Sequence, residues 1–542
     1  MTVRKYLERT PLAEARSAII EHAGLTGSEL LEPERGLGRV TAAPVFSGFP
    51  SPHYRASAMD GVALRAIDTA RASKTNPVEF RQATPGASVE DKTPPCRIVD
   101  TGSALPDWAD AVVRIEDVAV RGDRCAVEVP VSPGRNVRAT GEDAEAGVLL
   151  LGTGERIRPC DVGAMLATGI QEVQVRLPPR VAVLATGNEV VEPGSLPEPG
   201  KVIEFNSRVL SGYVAQWGGE SNYLGRVGDV PDTLERSLTD AARNHDVVCI
   251  IAGSSVGRRD HTVDVLARCG SVLVHGVDIM PGKPVALGVV ADTPVIAVPG
   301  YPVSAVVVYL QFLAPLIAAG LGTADPLPPT ICAAIRRDIP SRLGVEEFVR
   351  VCICTRGTGR VVSPLPRAAG SITTMVRADG LLRVPASCEG LEAGMPARVE
   401  LLRPEPSIAH GFVVAGKPDR LFAEMSEAAR RMDPRFRVAW LGLSLTDSVQ
   451  AILSDQANGA LLRGARGELE QATEALRSSG FEGSLASLRV ADPQAGQRDA
   501  TVVLALCGGR KSTATEGIIA ALANDDGLLG RAGLAPSSRR ET

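Results

Sequence analysis

Three short uninterrupted apolar runs, VAVLA at 181–185, VVCII at 247–251 and PVIAV at 294–298, stand out along the chain. Such runs are the pattern of strands buried on both faces, as in a parallel sheet. After the first of them, Val209, Leu210, Tyr213, Val214 and Trp217 recur at helical spacing until Gly218-Gly219, which predicts a helix over 206–217. Helices are likewise expected over 232–242 and 260–268 and after Pro302. Strand, loop and helix therefore repeat between Arg180 and Thr323, the rhythm of a doubly wound parallel sheet.

From Thr293 to Ala324 there is no charge, and Val303 to Leu321 is long enough to cross a bilayer. Pro299-Gly300-Tyr301-Pro302 and Pro315 interrupt this stretch, and Ser304 and Gln311 are polar, so a strand, a turn and a buried helix are expected rather than a membrane span.

Elsewhere the periodicity changes. The first 45 residues read as helical, from Pro11 through Ile19 and Ile20 to near Gly24. Short alternating runs between Val62 and Val137, such as Cys125-Ala126-Val127-Glu128-Val129, read as strands. Residues 141–178 mix helix and strand, and 330–402 return to short β segments, among them 348–353 and 397–402. Pro404-Glu405-Pro406 reads as a linker before a last α/β segment that starts at Phe412-Val413-Val414-Ala415-Gly416, with apolar periodicity over 421–429 and 449–453. The expected domains are 1–45 with 141–178 (helical, linking), 46–140 (β-rich), 179–326 (α/β), 327–405 (small β), 406–536 (α/β extension) and a disordered polar tail at 537–542.

Composition narrows the function classes. The 542 residues carry a formal net charge of −5, so no general basic field marks nucleic acid as a main partner, and an anionic ligand would need local cations. The ten cysteines include no C-x-x-C pair, and Cys352 and Cys354 fall on one face of a strand. Buried, reduced thiols in a reducing cytoplasm are expected, and MTVRKYLERTPLAEA has no apolar signal core. No histidine has metal-ligand spacing, and His261 beside Asp260 reads as incidental.

Four glycine-rich loops fall where chemistry would surface: Thr186-Gly187-Asn188-Glu189, Ala252-Gly253-Ser254-Ser255-Val256-Gly257, Pro281-Gly282-Lys283-Pro284 and Pro299-Gly300-Tyr301-Pro302. Loops at the carboxyl ends of such strands present unpaired N–H groups to anions. Lys283, in a stiff Gly-Pro turn, would add one point charge. Carboxylates scattered over loops can converge on a hard cation. Each has a structural alternative as well: Asp60 before Gly61 suits a turn, Asp143 and Asp229 suit loops or caps, and Glu189 suits an exposed surface.

The order of further motifs resembles one family. Ser57-Ala58-Met59-Asp60-Gly61, Thr101-Gly102 with Ala111-Val112-Val113 and Glu116, Asn136-Val137-Arg138 with Gly141-Glu142-Asp143, Ala185 to Glu189, the helix at Asn206 and Gly225-Arg226-Val227-Gly228-Asp229 run in sequence. The Gly253 to Asp260 loop, Pro281 to Pro284 and Pro299-Gly300-Tyr301-Pro302-Val303-Ser304-Ala305 complete the set. Together they resemble the molybdopterin molybdenumtransferases (MoeA and the corresponding domain of gephyrin), across residues 1 to about 403. The resemblance implies an elongated four-domain subunit with the β-rich domain inserted into the helical one, and a cytoplasmic homodimer in which the β-rich domain of one subunit covers the other's sheet. It implies Mg2+-dependent insertion of molybdate into adenylylated molybdopterin with release of AMP. Asp60, Asp143, Glu189, Asp229 and Asp260 would be catalytic, the last three as metal ligands. Thr101, Arg138, Thr186, Gly187, Gly253, Ser255, Gly257, Gly282, Lys283, Pro299, Gly300 and Ser371 would bind substrate. Other cofactor-biosynthesis or molybdoenzyme-maturation proteins would be further partners, and neither nucleic acid nor membrane is expected.

Departures from the family pattern fall on the same loops. Ala252 stands for a glycine, Arg258 for an acidic residue, Tyr301 for an asparagine and Met280 for a frequent basic residue. They leave a second reading, a catalytically degenerate paralogue that binds molybdopterin or a partner enzyme as a carrier or regulatory module. An adenylyltransferase would suit residues 180–323 alone, but the additional β-rich segment argues against it, and no Walker-type G-x-x-x-x-G-K-[ST] string occurs. The segment from Phe412 to Gly464 resembles the start of a periplasmic-binding-protein-like domain, with Gly416-Lys417-Pro418-Asp419 at its first turn, in shortened form.

Overall fold

The computed structural model describes residues 9–83, 93–194, 196–228, 230–251, 261–324, 328–356 and 359–409, and beyond them 411–418, 422–423, 426–427, 430–431, 433–435, 437–479, 481, 483–491, 499–507 and 534–535. The chain is a mixed α/β multidomain protein that falls into two compact units, residues 25–178 with 318–324, and residues 1–24 with 179–317 and 325–542.

The first of these units is built on a curled six-stranded sheet in the order 111–114, 61–64, 95–99, 78–82, 124–127, 118–121. Its core is Val62, Leu64, Phe80, Cys96, Val113, Cys125 and Val127. Ser28–Leu31 is a strand paired antiparallel with Val173–Arg176 beside the helix Pro159–Ala167. Helix within the first 45 residues is therefore confined to Leu12–Ile20 among the described residues, because Gly24 and Gly27 end the helical period and Val173 and Val175 offer a strand edge.

The other unit holds the α/β sheet. Its elements in chain order are β1 (Arg180–Thr186), α1 (Asn206–Trp217), β2 (Glu220–Val227), α2 (Pro231–Asn244), β3 (Val247–Ile251), α3 (Thr262–Cys269), β4 (Ser271–His275), β5 (Ala286–Val290) and β6 (Thr293–Val298). The strand order is β2-β1-β3-β6-β5-β4. The four strands β2, β1, β3 and β6 are mutually parallel, whereas β5 runs antiparallel to both its neighbours, β6 and β4, which corrects the expectation of a parallel sheet. The cause is local: Ala291 and Asp292, with φ of 48° and 64°, form a two-residue reversal that folds β5 back on β6. On one face Ala182, Leu184, Val248 and Ile250 pack with Leu234, Leu238, Val265 and Leu266 of α2 and α3.

The apolar stretch after Pro302 forms one continuous helix, α4 (Pro302–Leu321), with a π turn over Tyr309–Leu313. It is long and apolar enough to cross a membrane, but 83% of its most apolar window is buried inside the protein.

Beyond residue 329, the strand β7 (Glu346–Arg356) joins 359–364, 330–334, 396–401 and 380–384 in a ring that closes because β7 also pairs with 380–384. Pro404 to Pro406 is not an open linker: a short helix, Glu405–Ala409, starts within it, with proline accommodated in the first turn. A further sheet follows in the order 437–440, 411–415, 459–463, 499–507, 483–491, 534–535, its first three strands parallel. Parts of 421–429 and the tail 537–542 lie outside the described residues. Cys96, Cys125, Cys249, Cys352 and Cys354 are buried thiols in no disulfide, as expected, whereas Cys160 and Cys332 are exposed. Leu184→Ala at the centre of β1 removes a side chain 1% exposed and is expected to cost about 2–5 kcal/mol. Denaturant unfolding followed by circular dichroism checks this, and an unchanged midpoint contradicts the packing described.

Candidate active site

The expected residues fall into two sets, one on each unit. In the α/β unit they lie at the carboxyl ends of the parallel strands. Thr186 closes β1 and donates its hydroxyl to the carbonyl of Ile251 at the end of β3, 3.2 Å away. Gly187 follows with φ 114°, and a Cβ there would sit 2.9 Å from Glu189 Oε1. A side chain at 187 would therefore displace the Glu189 carboxylate. Glu189 is exposed, and its loop is pinned by Val202 N–H on the Glu189 carbonyl (2.9 Å) and by Lys201 Nζ on the Asn188 carbonyl (2.9 Å). Asn188 Oδ1 comes within 3.9 Å of the Cβ position at Gly228, directly after β2. Asp229, and Ala252 to Asp260 with Gly253, Ser255, Gly257, Arg258 and Asp260, lie outside the described residues.

Three more loops reach the same edge. Pro299 and Gly300 leave β6, and Asn206 Nδ2 at the start of α1 donates to the Gly300 carbonyl at 2.9 Å. The next residue, Tyr301, is 67% exposed, and its ring lies 3.5 Å from the Cβ position of Gly370. Val303 N–H donates to the Ala369 carbonyl at 3.0 Å, so the segment carrying Ser371 is held against the Tyr301 loop. The antiparallel register Ala286↔Ala297 brings the turn Pro281 to Pro284 to this edge as well. Gly282, with φ 120°, is buried, and a Cβ there would meet Ile279 at 2.9 Å and Val308 of α4 at 3.5 Å. Lys283 beside it is exposed, with no ion pair among the described residues.

Sequence reasoning missed the groups that brace this edge. Glu204, 5% exposed, accepts hydrogen bonds from Ser207 N–H (2.8 Å), the Ser207 hydroxyl and Arg208 Nη1 (3.3 Å). Arg208 Nη2 reaches Glu192 Oε2 at 2.8 Å, Tyr223 OH donates to Glu192 Oε1 at 2.7 Å, and the guanidinium lies 4.4 Å from the Tyr223 ring centre. Burial, with the bond to Glu192 second, pushes the Tyr223 hydroxyl up to about 12, so it stays a donor at neutral pH. The available signal was an acid just before a helix start, where an acceptor meets the unpaired N–H groups of the first turn.

In the β-rich unit, Asp60 and Thr101 are in direct contact, while Arg138 and Asp143 lie on neighbouring segments, Arg138 near Glu142 at 3.7 Å. The register Gly61↔Val99 sets Asp60 beside Thr101, whose N–H (2.6 Å) and hydroxyl (2.8 Å) both donate to Asp60 Oδ1. The pairing Arg138↔Ala56 brings Arg138 onto the strand that leads to Asp60, and Asp143 N–H donates to the Ser51 carbonyl at 3.0 Å. Asp60, Arg138 and Asp143 are all exposed. The two bonds from Thr101, backbone first, hold the Asp60 carboxyl below its usual range. A depressed folded-state value means that this stabilisation is present above the unfolded carboxylate value and is lost as pH falls through the folded one. Thr101→Val keeps the N–H but removes the hydroxyl donor, so the Asp60 titration midpoint should move up part of the way to the ordinary value. NMR of aspartate-labelled protein checks it, and an unmoved midpoint refutes the assigned cause.

Among the described residues no three His, Cys, Asp or Glu side chains gather as a metal site. Residues 10–169 match the MoeA N-terminal region (domain I and II), 182–319 match a "Probable molybdopterin binding domain", and 333–402 match the MoeA C-terminal region (domain IV). The chain is 31% identical over 376 residues to molybdopterin molybdenumtransferase 2 of Mycobacterium tuberculosis, covering 67% of this chain and 92% of that protein. It is 29% identical over 430 residues to the molybdopterin molybdenumtransferase of Bacillus subtilis, covering 76% and 99%. A solved molybdopterin biosynthesis MoeA protein of Pyrococcus horikoshii superposes with a TM-score of 0.64 at 31% identity, over 73% of this chain and 100% of that one. With its motifs in order on this fold and with relatives of this identity over nearly their whole length, the chain belongs to the molybdopterin molybdenumtransferase (MoeA) family.

Proposed function

We propose that this protein inserts molybdenum from molybdate into adenylylated molybdopterin, in a Mg2+-dependent reaction that releases AMP, as a cytoplasmic homodimer. The observation that carries this is the gathering of Gly187, Glu189, Gly282, Lys283, Gly300 and Ser371 at one edge of the α/β sheet. A substrate with a phosphoanhydride and an accompanying oxyanion needs such a place, where loop amides and one exposed ammonium meet negative charge. Lys283 supplies that ammonium, and Thr186, Gly187, Pro299, Gly300 and Ser371 line the edge, while Gly253, Ser255 and Gly257 follow β3 in the sequence. By the resemblance, Thr101 and Arg138 of the β-rich unit would also bind substrate, and Asp60 and Asp143 of that unit are exposed.

Glu189 fits a Mg2+ ligand: it is an exposed oxygen donor, with no ion-pair partner among the described residues, on the loop that adjoins Gly228. Mg2+ keeps several waters and takes one or two carboxylates with substrate phosphate, so Glu189 with one of Asp229 and Asp260 would suffice. The ion would neutralise charge on the phosphoanhydride. Tyr301, braced on Gly370, offers its ring as a stacking face for a pterin or adenine.

Purified protein given adenylylated molybdopterin, molybdate and Mg2+ is expected to release AMP and yield metallated cofactor. Asp60→Asn or Glu189→Gln should each lower the rate by a factor on the order of 10² or more. Tight pterin binding with no AMP released would overturn the proposal and favour a carrier.

A further inference from the structure

The strand β7 presents two buried faces in alternation. Val349, Val351 and Ile353 point into the core of the closed ring. Cys352 and Cys354 instead share a core with Val413, Ala415, Ala439, Leu441, Ala460 and Leu462, which belong to the sheet that begins at Gly411. Arg350, 1% exposed, donates to the carbonyls of Pro366 (2.6 Å) and Ala368 (3.2 Å) and to Thr374 Oγ1 (3.2 Å), and Thr374 Oγ1 donates to the Ser371 carbonyl at 2.6 Å. One strand thus fixes both the Ser371 segment and the C-terminal sheet.

The short helix α5 (Ile372–Arg377) starts at Ser371 and ends in a buried ionic knot. The carbonyls of its last turn have no helical partner and need donors. Arg403 donates to the carbonyls of Val376 and Ala378, and Arg437 Nη2 donates to the Arg377 carbonyl at 2.9 Å. Asp379, 1% exposed, pairs with Arg437, receives Ile353 N–H at 2.8 Å and has Arg403 Nε at 3.9 Å. Arg437 is the contribution of the C-terminal sheet to this knot, at the first residue of its strand 437–440. Cations at a helix C-terminus also suit the direction of its dipole.

We propose that Arg437, outside the segments shared with the family, is a positioning residue for the reaction. Through Asp379 and the Arg377 carbonyl it fixes the C-terminal end of α5, and so the placement of Ser371 against the Tyr301 loop. The C-terminal sheet is then a buttress of the substrate edge, joined through a common core and not a tethered module. This rests on the assignment of Ser371 to the substrate site.

Steady-state kinetics of the full chain test it. Arg437→Ala should raise KM for adenylylated molybdopterin by about tenfold, the size of one lost charge-assisted bond, with kcat within about twofold. Arg437→Lys, which keeps the charge opposite Asp379 but not the second donor, should fall between. Ser363→Ala removes a different link to the C-terminal sheet, the bond from Ser363 Oγ to the Gln456 carbonyl, and should leave KM unchanged. Ser371→Ala should raise KM, and adding Arg437→Ala to it should change little more. A silent Ser371→Ala overturns the site assignment and this proposal together. A responsive Ser371→Ala with wild-type KM in Arg437→Ala overturns this proposal alone, as does an equal KM rise in Ser363→Ala. If Arg437→Ala does not fold, Arg437→Lys decides, since wild-type KM there refutes the role.

Discussion

Three adjacent parallel strands of the α/β sheet, β1, β3 and β6, are buried along nearly all their length, and this constraint organises the rest. Such strands can expose no polar group along their sides, so chemistry surfaces only where they end. There the backbone must turn at once, which is why a left-handed glycine follows β1 and a Pro-Gly pair follows β6. The Thr186 bond to Ile251 and the Asn206 bond to Gly300 then tie neighbouring ends together, so that the loops form one edge with fixed spacing.

What could be read in the sequence follows from how local each signal is. The three apolar runs and the helix at Asn206 are contiguous patterns, and the structure places strands and helix on those residues. The antiparallel edge was hidden because its reversal, Ala291-Asp292, lacks the Asn-Gly or Asp-Gly pair that marks a two-residue hairpin. Asp60 and Thr101 were both legible as candidates, but their contact was not. It depends on the register Gly61↔Val99, a property of two strands that are far apart in the chain.

Buried charge was the least legible feature. Arg350 and Asp379 sit in segments whose neighbours are apolar, and a sequence pattern gives no sign that their partners are backbone carbonyls and a distant arginine. Burying such groups is tolerated only when their hydrogen-bonding capacity is met, so each marks a place where several segments must meet in one geometry. Here both lie at the two ends of α5.

That arrangement also bears on why a chain of this family keeps a sheet beyond residue 411. A ring strand normally alternates apolar inward and polar outward residues, as β7 does not: its outward Cys352 and Cys354 are as buried as its inward Val351 and Ile353. Without the C-terminal sheet those thiols would face water, and Asp379 would lose the arginine that enters from it. The ring has therefore been fitted to a covering layer, with Asn458 bridging Thr355 of β7 and Val413 of the first covering strand through both ends of its amide. A link in which one side chain satisfies backbone groups on both partners leaves little room for either to move alone.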